Sequence, residues 1–407
     1  MAGNGSTAAA AAAPTATTAT PAARKSTSPP AAAPHAARRA TPPESSYQAA
    51  ALESQSQSQS QSISPTTSIQ EQQMSGPEED IPVDSAYEQD EGDGDSAYDA
   101  GSTQTDTTSL LSDITKYRYE NNRRYHAYKD GEYWGPNDEK QNNQLDIAHH
   151  MYLLMLGGKL HLAPIREDPH NVLDVGTGTG IWAIDFADQY PSSQVIGFDL
   201  SPIQPSWLPP NVRFEINDAC ADWDYKKNSF DFIHVRTMYG SVADWPAFYQ
   251  QALAHLAPGQ WYQQIEMSVV PVSDDGTIYE GHIFDQWGKI SLEAGDKFGK
   301  DLRIHEQVKG YLEEAGFEDV VDRAFKMPIG PWSKDPHLKQ IGLWNQLHWQ
   351  EGIEGWSMAL LTRVLGWSYT EVQAYLGKMR EALVDRRIHA YHVINVVYGR
   401  KPMTQDG

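Results

Sequence analysis

Asn171-Val172-Leu173-Asp174-Val175-Gly176-Thr177-Gly178-Thr179-Gly180 is the stretch on which the reading of this chain turns. An apolar run containing one acid passes into a glycine-rich turn. The turn passes directly into a helical pattern over 181–190. Strand, glycine turn and helix together form the layout in which backbone closes around a nucleotide-like ligand. Glycine is required because a Cβ would block both the tight turn and the close approach of a ligand.

Outward from this stretch, the pattern alternates. Strands are expected at 172–175, 194–199, 212–216, 230–235, 261–270, 320–327 and 392–398. Helices are expected at 138–156, 181–190, 246–256 (closed by Pro258-Gly259) and 304–315. Strands alternating with helices imply a mainly parallel sheet covered on both faces. Ligands of such sheets sit beyond the carboxyl ends of the strands, where Asp174, Asp199, Asp218 and the Val235-Arg236 pair all fall. Between the last two strands, 335–390 holds three further helical patterns at 338–351, 356–365 and 370–387. With their flanks they carry Trp332, Trp344, Trp349, Trp356 and Trp367. This insertion reads either as a lid or partner surface or as a helical layer packed on the sheet.

Composition separates a tail from a body. Residues 1–115 contain no Trp, no Phe and only three Tyr. An Ala/Thr/Pro-rich block, a Ser/Gln alternation and an acidic block follow one another there, so disorder is expected. The acidic block repeats Asp-Ser-Ala-Tyr at 84–87 and 95–98, which reads as a docking or phosphorylation motif or as a solvated linker. The net charge of −22 is shared between tail and body. An acidic body argues against a grip on nucleic acid through phosphates. A single cysteine, Cys220, excludes an intrachain disulfide. No apolar run reaches 18 residues, so no membrane span is expected, and the N-terminal alanines lack the charge and core of a signal peptide. A soluble intracellular protein is the expectation. Ahead of the body, 117–134 interleaves six aromatic residues with Arg118, Arg123, Arg124 and Lys129. That segment reads as a cover over the ligand pocket or as plain helix packing. His149 and His150 are sequence neighbours on different helix faces and make no metal site.

The glycine spacing narrows the ligand. A dinucleotide site asks for glycine at position 181, where isoleucine stands, and no Gly-Lys-Ser/Thr follows. Asp174 would repel a pyrophosphate and suits a cationic amine. Asp199 is placed to accept hydrogen bonds from ribose hydroxyls. An adenosine carrying a charged amino acid in place of a pyrophosphate is S-adenosyl-L-methionine.

Residues 172–180 resemble motif I of class I S-adenosylmethionine-dependent methyltransferases. The run Gly197-Phe198-Asp199-Leu200-Ser201-Pro202 resembles motif II, Asn217-Asp218-Ala219 the adenine segment, and 230–234 the strand-four motif. More narrowly, 180–184, 199–205, 240–245, and 124–128 through 138–139 resemble the fungal LaeA-like group (velvet-complex LaeA with VipC and VapB). The resemblance implies a Rossmann-like seven-stranded α/β fold over 116–407. It implies cofactor contacts at Asp174, Gly176, Thr177, Gly178, Gly180, Asp199, Leu200, Asp218, Ala219 and Val235. It also implies a regulator of development and secondary metabolism in nucleus and cytoplasm, working with velvet-type or membrane-tethering partner proteins. The acceptor is not implied. Arg236, Tyr239 and Trp245 are candidates to line its pocket, and His234 is a candidate base, needed only if the nucleophile arrives protonated. A catalytically idle cofactor-binding scaffold and a small-metabolite O-methyltransferase are the alternatives.

Overall fold

The computed structural model describes residues 79–87 and 117–403. A hairpin leads, β1 (Arg118–Glu120) and β2 (Arg123–Tyr125), turned by Asn121-Asn122. Both asparagines have positive φ, the conformation a two-residue primed turn requires. Helix α1 (Glu139–Met155) follows, capped by the Asp138 carboxylate on the Gln141 N–H. The alternation then runs β3 (Asn171–Val175), α2 (Ile181–Gln189), β4 (Gln194–Asp199), β5 (Val212–Ile216), β6 (Phe230–Arg236), α3 (Trp245–His255) and β7 (Leu256–Met267). It continues through α4 (Ile283–Phe298), α5 (Ile304–Ala315), β8 (Glu318–Pro328), α6 (Pro336–Ala359), α7 (Tyr369–Val384) and β9 (Tyr391–Arg400).

Seven strands form one sheet in the order β5-β4-β3-β6-β7-β9-β8. The first five pair in parallel, and β9 runs antiparallel between β7 and β8. The order reverses between β3 and β6, so a crevice opens there at the strands' carboxyl ends. Period-two alternation sorts the side chains between the faces. Leu173, Val175, Ile233 and Val235 pack under α3 and α5. Val172 and Phe232 pack under α2 with Trp182, Ala183 and Phe186. Asp174, His234 and Arg236 share that second face, two and four residues along.

Several expectations are corrected. Pro258 and Gly259 do not close a gap before β7. They lie within it, where the pairing with β6 slips between Phe230 and Phe232, and such a bulge tolerates both residues. The expected 338–351 and 356–365 helices are one helix, α6, running into a π turn at Leu360–Val364. Helix α4 was not expected at all. Its Phe284 and Trp287 join Trp349, Trp356 and residues of α7 in a separate apolar cluster. Trp332 and Trp349 are buried. The insertion thus packs as a helical layer.

Disorder through residue 115 is corrected at 79–87. Ile81 is buried, and Val83 bridges Ser333 antiparallel. Asp84 N–H donates to Trp332 O and Lys334 N–H to Pro82 O. Asp84 pairs with Lys339, and Arg386 covers the Tyr87 ring. The first Asp-Ser-Ala-Tyr copy is therefore docked. The second copy and the rest of the tail lie outside the described residues. No described helix is long and apolar enough to cross a membrane.

Candidate active site

The crevice is a cavity walled by the ends of β3, β4, β5 and β6, by α1, by 132–137 and by α6. Gly176 and Gly178 turn the chain at positive φ. A Cβ on Gly176 would collide with the Met238 sulfur. The N–H groups of Gly176 and Thr177 both donate to Phe198 O, at 3.0 Å each. Gly178 N–H donates to Asp199 Oδ2 and Ser201 N–H to Asp199 Oδ1, both at 2.9 Å. Asp199 therefore pins the turn and lines the cavity. Burial raises its pKa, against the two backbone hydrogen bonds.

Asp174 is deeper, 3% exposed. Its Oδ2 accepts from Thr177 Oγ1 at 2.5 Å and its Oδ1 from His234 Nδ1 at 2.8 Å. The His234 ring lies flat on Trp182, centroids 3.6 Å apart. Burial pushes the His234 pKa down to about 4, with Asp174 acting in the opposite sense. A neutral, buried imidazole that donates to Asp174 orients that carboxylate, and at neutral pH it is a poor general base. Arg236 lies beside it, its Nη1 3.1 Å from His149 Nδ1 and its guanidinium 5.2 Å above the Tyr152 ring.

Asp218 is held from outside. Burial works to raise its pKa, but Lys129 Nζ at 2.5 Å and Cys220 N–H at 2.8 Å keep it lowered. Lys129 belongs to the aromatic and basic approach segment, so the expectation of a cover over the pocket holds. Glu132, Tyr133, Trp134, Pro136 and Asn137 line the cavity. Asn137 Nδ2 donates to Ser201 Oγ, and Arg123 makes a two-point contact with Asp138 at 2.6 and 2.8 Å.

Asp174, Gly176, Thr177, Gly178, Asp199, Leu200, Asp218, Ala219, His234, Arg236 and Tyr239 all line the cavity. Three expected residues do not. Val235 points to the opposite face of β6 and is wholly buried under α3 and α5. Trp245 opens α3 inside that same core. Gly180 caps α2, and its missing side chain makes room for the Phe214 ring. Sequence reasoning missed Lys129, Gln144, Lys300, His348 and Trp356. For Lys129 the aromatic and basic interleaving was a usable signal, and for His348 and Trp356 it was the lid reading of the 335–390 insertion; for Gln144 and Lys300, brought in by α1 and the turn after α4, none was. Among the described residues no His, Cys, Asp or Glu cluster is suited to a metal ion.

Acids at the ends of three adjacent strands suit a ligand bearing hydroxyls and positive charge, and the glycine turn leaves its backbone open. These residues fit S-adenosyl-L-methionine: Asp199 would take the ribose hydroxyls and Asp174 the charged amino acid. That cofactor supplies an electrophilic methyl group.

Residues 147–321 match a family profile described as a methyltransferase domain. The chain is 40% identical over 307 residues to the methyltransferase pytC of Aspergillus terreus, covering 75% of this chain and 94% of that protein. It is 38% identical to the secondary metabolism regulator LAE1 of Cochliobolus heterostrophus, over 70% of this chain and 94% of that one. It is 35% identical to the secondary metabolism regulator laeA of Aspergillus flavus, over 72% and 80%. Relatives of this identity and coverage agree with the glycine turn and the strand-end acids: the chain belongs to the fungal LaeA-like family of S-adenosyl-L-methionine-dependent methyltransferases.

Proposed function

We propose that this methyltransferase acts as a regulator of fungal development and secondary metabolism, in nucleus and cytoplasm, together with regulatory protein partners of the velvet or membrane-tethering kind. The names of LAE1 and laeA support the regulatory reading. The observation that carries the catalytic part is the covered cavity, in which the glycine turn, Asp199 and Asp174 lie under Tyr133 and Trp134. Methyl transfer from a sulfonium is an in-line displacement, helped most by alignment and exclusion of water. The protein's own contribution follows from that. Asp199 and the turn orient one end of the ligand, His234 fixes the Asp174 carboxylate, and the approach segment closes the top.

Calorimetry with S-adenosylhomocysteine on the full chain tests the binding step, and wild type should bind where Gly176→Ala with Gly178→Ala does not. A strain carrying that double substitution should lose the regulated metabolites. Wild-type metabolite output from that strain would instead favour the cofactor-binding scaffold. Affinity purification of the tagged chain, read by mass spectrometry, tests the partner reading.

A further inference from the structure

His348 belongs to neither the cofactor acids nor the expected acceptor residues, yet it forms part of the cavity wall and is 3% exposed. A relay of two α1 amides, Gln141 and Gln144, reaches the ring. Gln141 Nε2 then donates to Gln144 Oε1 at 2.5 Å, and Gln144 Nε2 donates to His348 Nδ1 at 2.7 Å. With the two amides oriented in this way Nδ1 accepts, which assigns the proton of the neutral ring to Nε2. Burial keeps the ring neutral, with its pKa pushed down to about 4. His348 Nε2 is buried with no partner among the described residues. A buried donor without a partner costs free energy that a ligand can recover.

The ring also stands where two chambers meet. It packs on Trp356, centroids 4.9 Å apart. Trp356, Trp134 and Tyr239 line both the main cavity and a smaller, apolar one walled further by Trp287, Leu302, Trp349 and Leu360.

Resting on the methyltransferase reading above, we propose that His348 selects the methyl acceptor, and that the acceptor is an oxygen nucleophile that enters already ionised on a small aromatic or apolar body. An oxyanion has lone pairs to spare, so one accepts from Nε2–H while another attacks. An ammonium presents only donors to that N–H, and an amine would give up the single lone pair that has to react. With Nδ1 occupied by Gln144, the ring takes no proton, so a neutral alcohol is not activated here. The oxygen–carbon bond forms as the carbon–sulfur bond breaks. The negative charge on oxygen and the positive charge on sulfur are both discharged, and no proton needs removal. The second chamber receives the apolar body.

The test uses the full-length chain saturated with S-adenosylhomocysteine and two probes, 4-nitrophenol and 4-nitrobenzylamine. 4-Nitrophenol should bind with the absorption band of its phenolate at a pH one unit below its ionisation in solution, and 4-nitrobenzylamine should bind at least tenfold more weakly. His348→Phe should weaken 4-nitrophenol at least tenfold and leave S-adenosylhomocysteine within twofold of wild type. His348→Gln, which keeps an N–H donor, should restore part of the loss. A bound phenol band, tighter binding of the amine, or equal binding by His348→Phe overturns the proposal; the band is read on wild type and needs no variant to fold. Weaker S-adenosylhomocysteine binding by a folded His348→Phe would make His348 a cofactor ligand and also overturns it. Should wild type bind S-adenosylhomocysteine and neither probe, the acceptor proposal alone falls. Should it not bind S-adenosylhomocysteine, the methyltransferase reading falls with it.

Discussion

Asp199 and Val235 show what a single residue's position means here. Both stand at strand ends and both were expected at the cofactor. Asp199 holds two backbone N–H groups of the turns beside it, whereas Val235 packs on the other face of its strand. Asp199→Ala removes two charge-assisted hydrogen bonds and the ribose acceptor, a loss of about 2–3 kcal/mol. S-adenosylhomocysteine should bind roughly a hundredfold more weakly in calorimetry. Val235→Ala should leave that affinity unchanged and lower the melting temperature instead, because it opens a cavity in the core. Equal affinities for the two variants would refute the assignment of Asp199. The acid was legible in the sequence from its spacing to the glycines. The face of Val235 was legible too, from its odd parity relative to His234 and Arg236, had the alternation been weighed against the resemblance.

At the scale of elements, the docked 79–87 segment and α4 are the departures from expectation. A stretch in an acid-rich tail gives little apolar signal, yet Ile81, Val83 and Tyr87 suffice when an edge offers partners. Trp332 O and the Lys334 N–H bond to the segment's backbone, and Lys339 takes up the Asp84 charge. Full burial of one isoleucine stabilises by about 1.5–3 kcal/mol. Ile81→Asp should therefore lower the thermal midpoint by a few degrees while S-adenosylhomocysteine affinity stays unchanged, since the segment does not line the cavity. An unaltered melting curve would show that the docking contributes nothing. Helix α4 was hidden for a different reason. Its apolar positions, Phe284, Trp287 and Ala294, are interrupted by Gly288 and Gly295, which lower helix propensity. Both glycines are buried, and a Cβ there would crowd Val270 and Leu302 respectively. Close packing, which the sequence does not print, overrides propensity.

For the molecule as a whole, buried ionisable groups set the response to pH. Burial holds His234 and His348 to pKa values of about 4 and His392 to about 3, below the ordinary 6.5. Below pH 6.5 the unfolded chain takes up protons that the folded chain refuses. Their contribution is thus intact at neutral pH and lost as pH falls, about 2 kcal/mol each by pH 5. Glu266 works the other way. Burial lifts its carboxyl from 4.5 to about 7, so its contribution is present at low pH and lost as pH rises through that window. Three groups outweigh one. Urea unfolding at pH 5 should show a midpoint clearly below that at pH 6.5, and an unchanged or higher midpoint would contradict the burial of these rings.

Local pattern sufficed for much of this protein. The apolar runs, the glycine turn and the strand-end acids specified a parallel sheet, a crevice and an adenosine-type cofactor, because each rests on spacing within a few residues or on one period of a strand. What surrounds the crevice was decided only in three dimensions. Lys129 reaches Asp218 across 89 residues and Gln144 reaches His348 across 204. Contacts of that separation depend on how α1, α6 and the approach segment pack over the sheet, and no local periodicity encodes them. The glycine turn and the strand-end acids were therefore readable in advance, while the rest of the wall exists only once the helical layer has closed upon it.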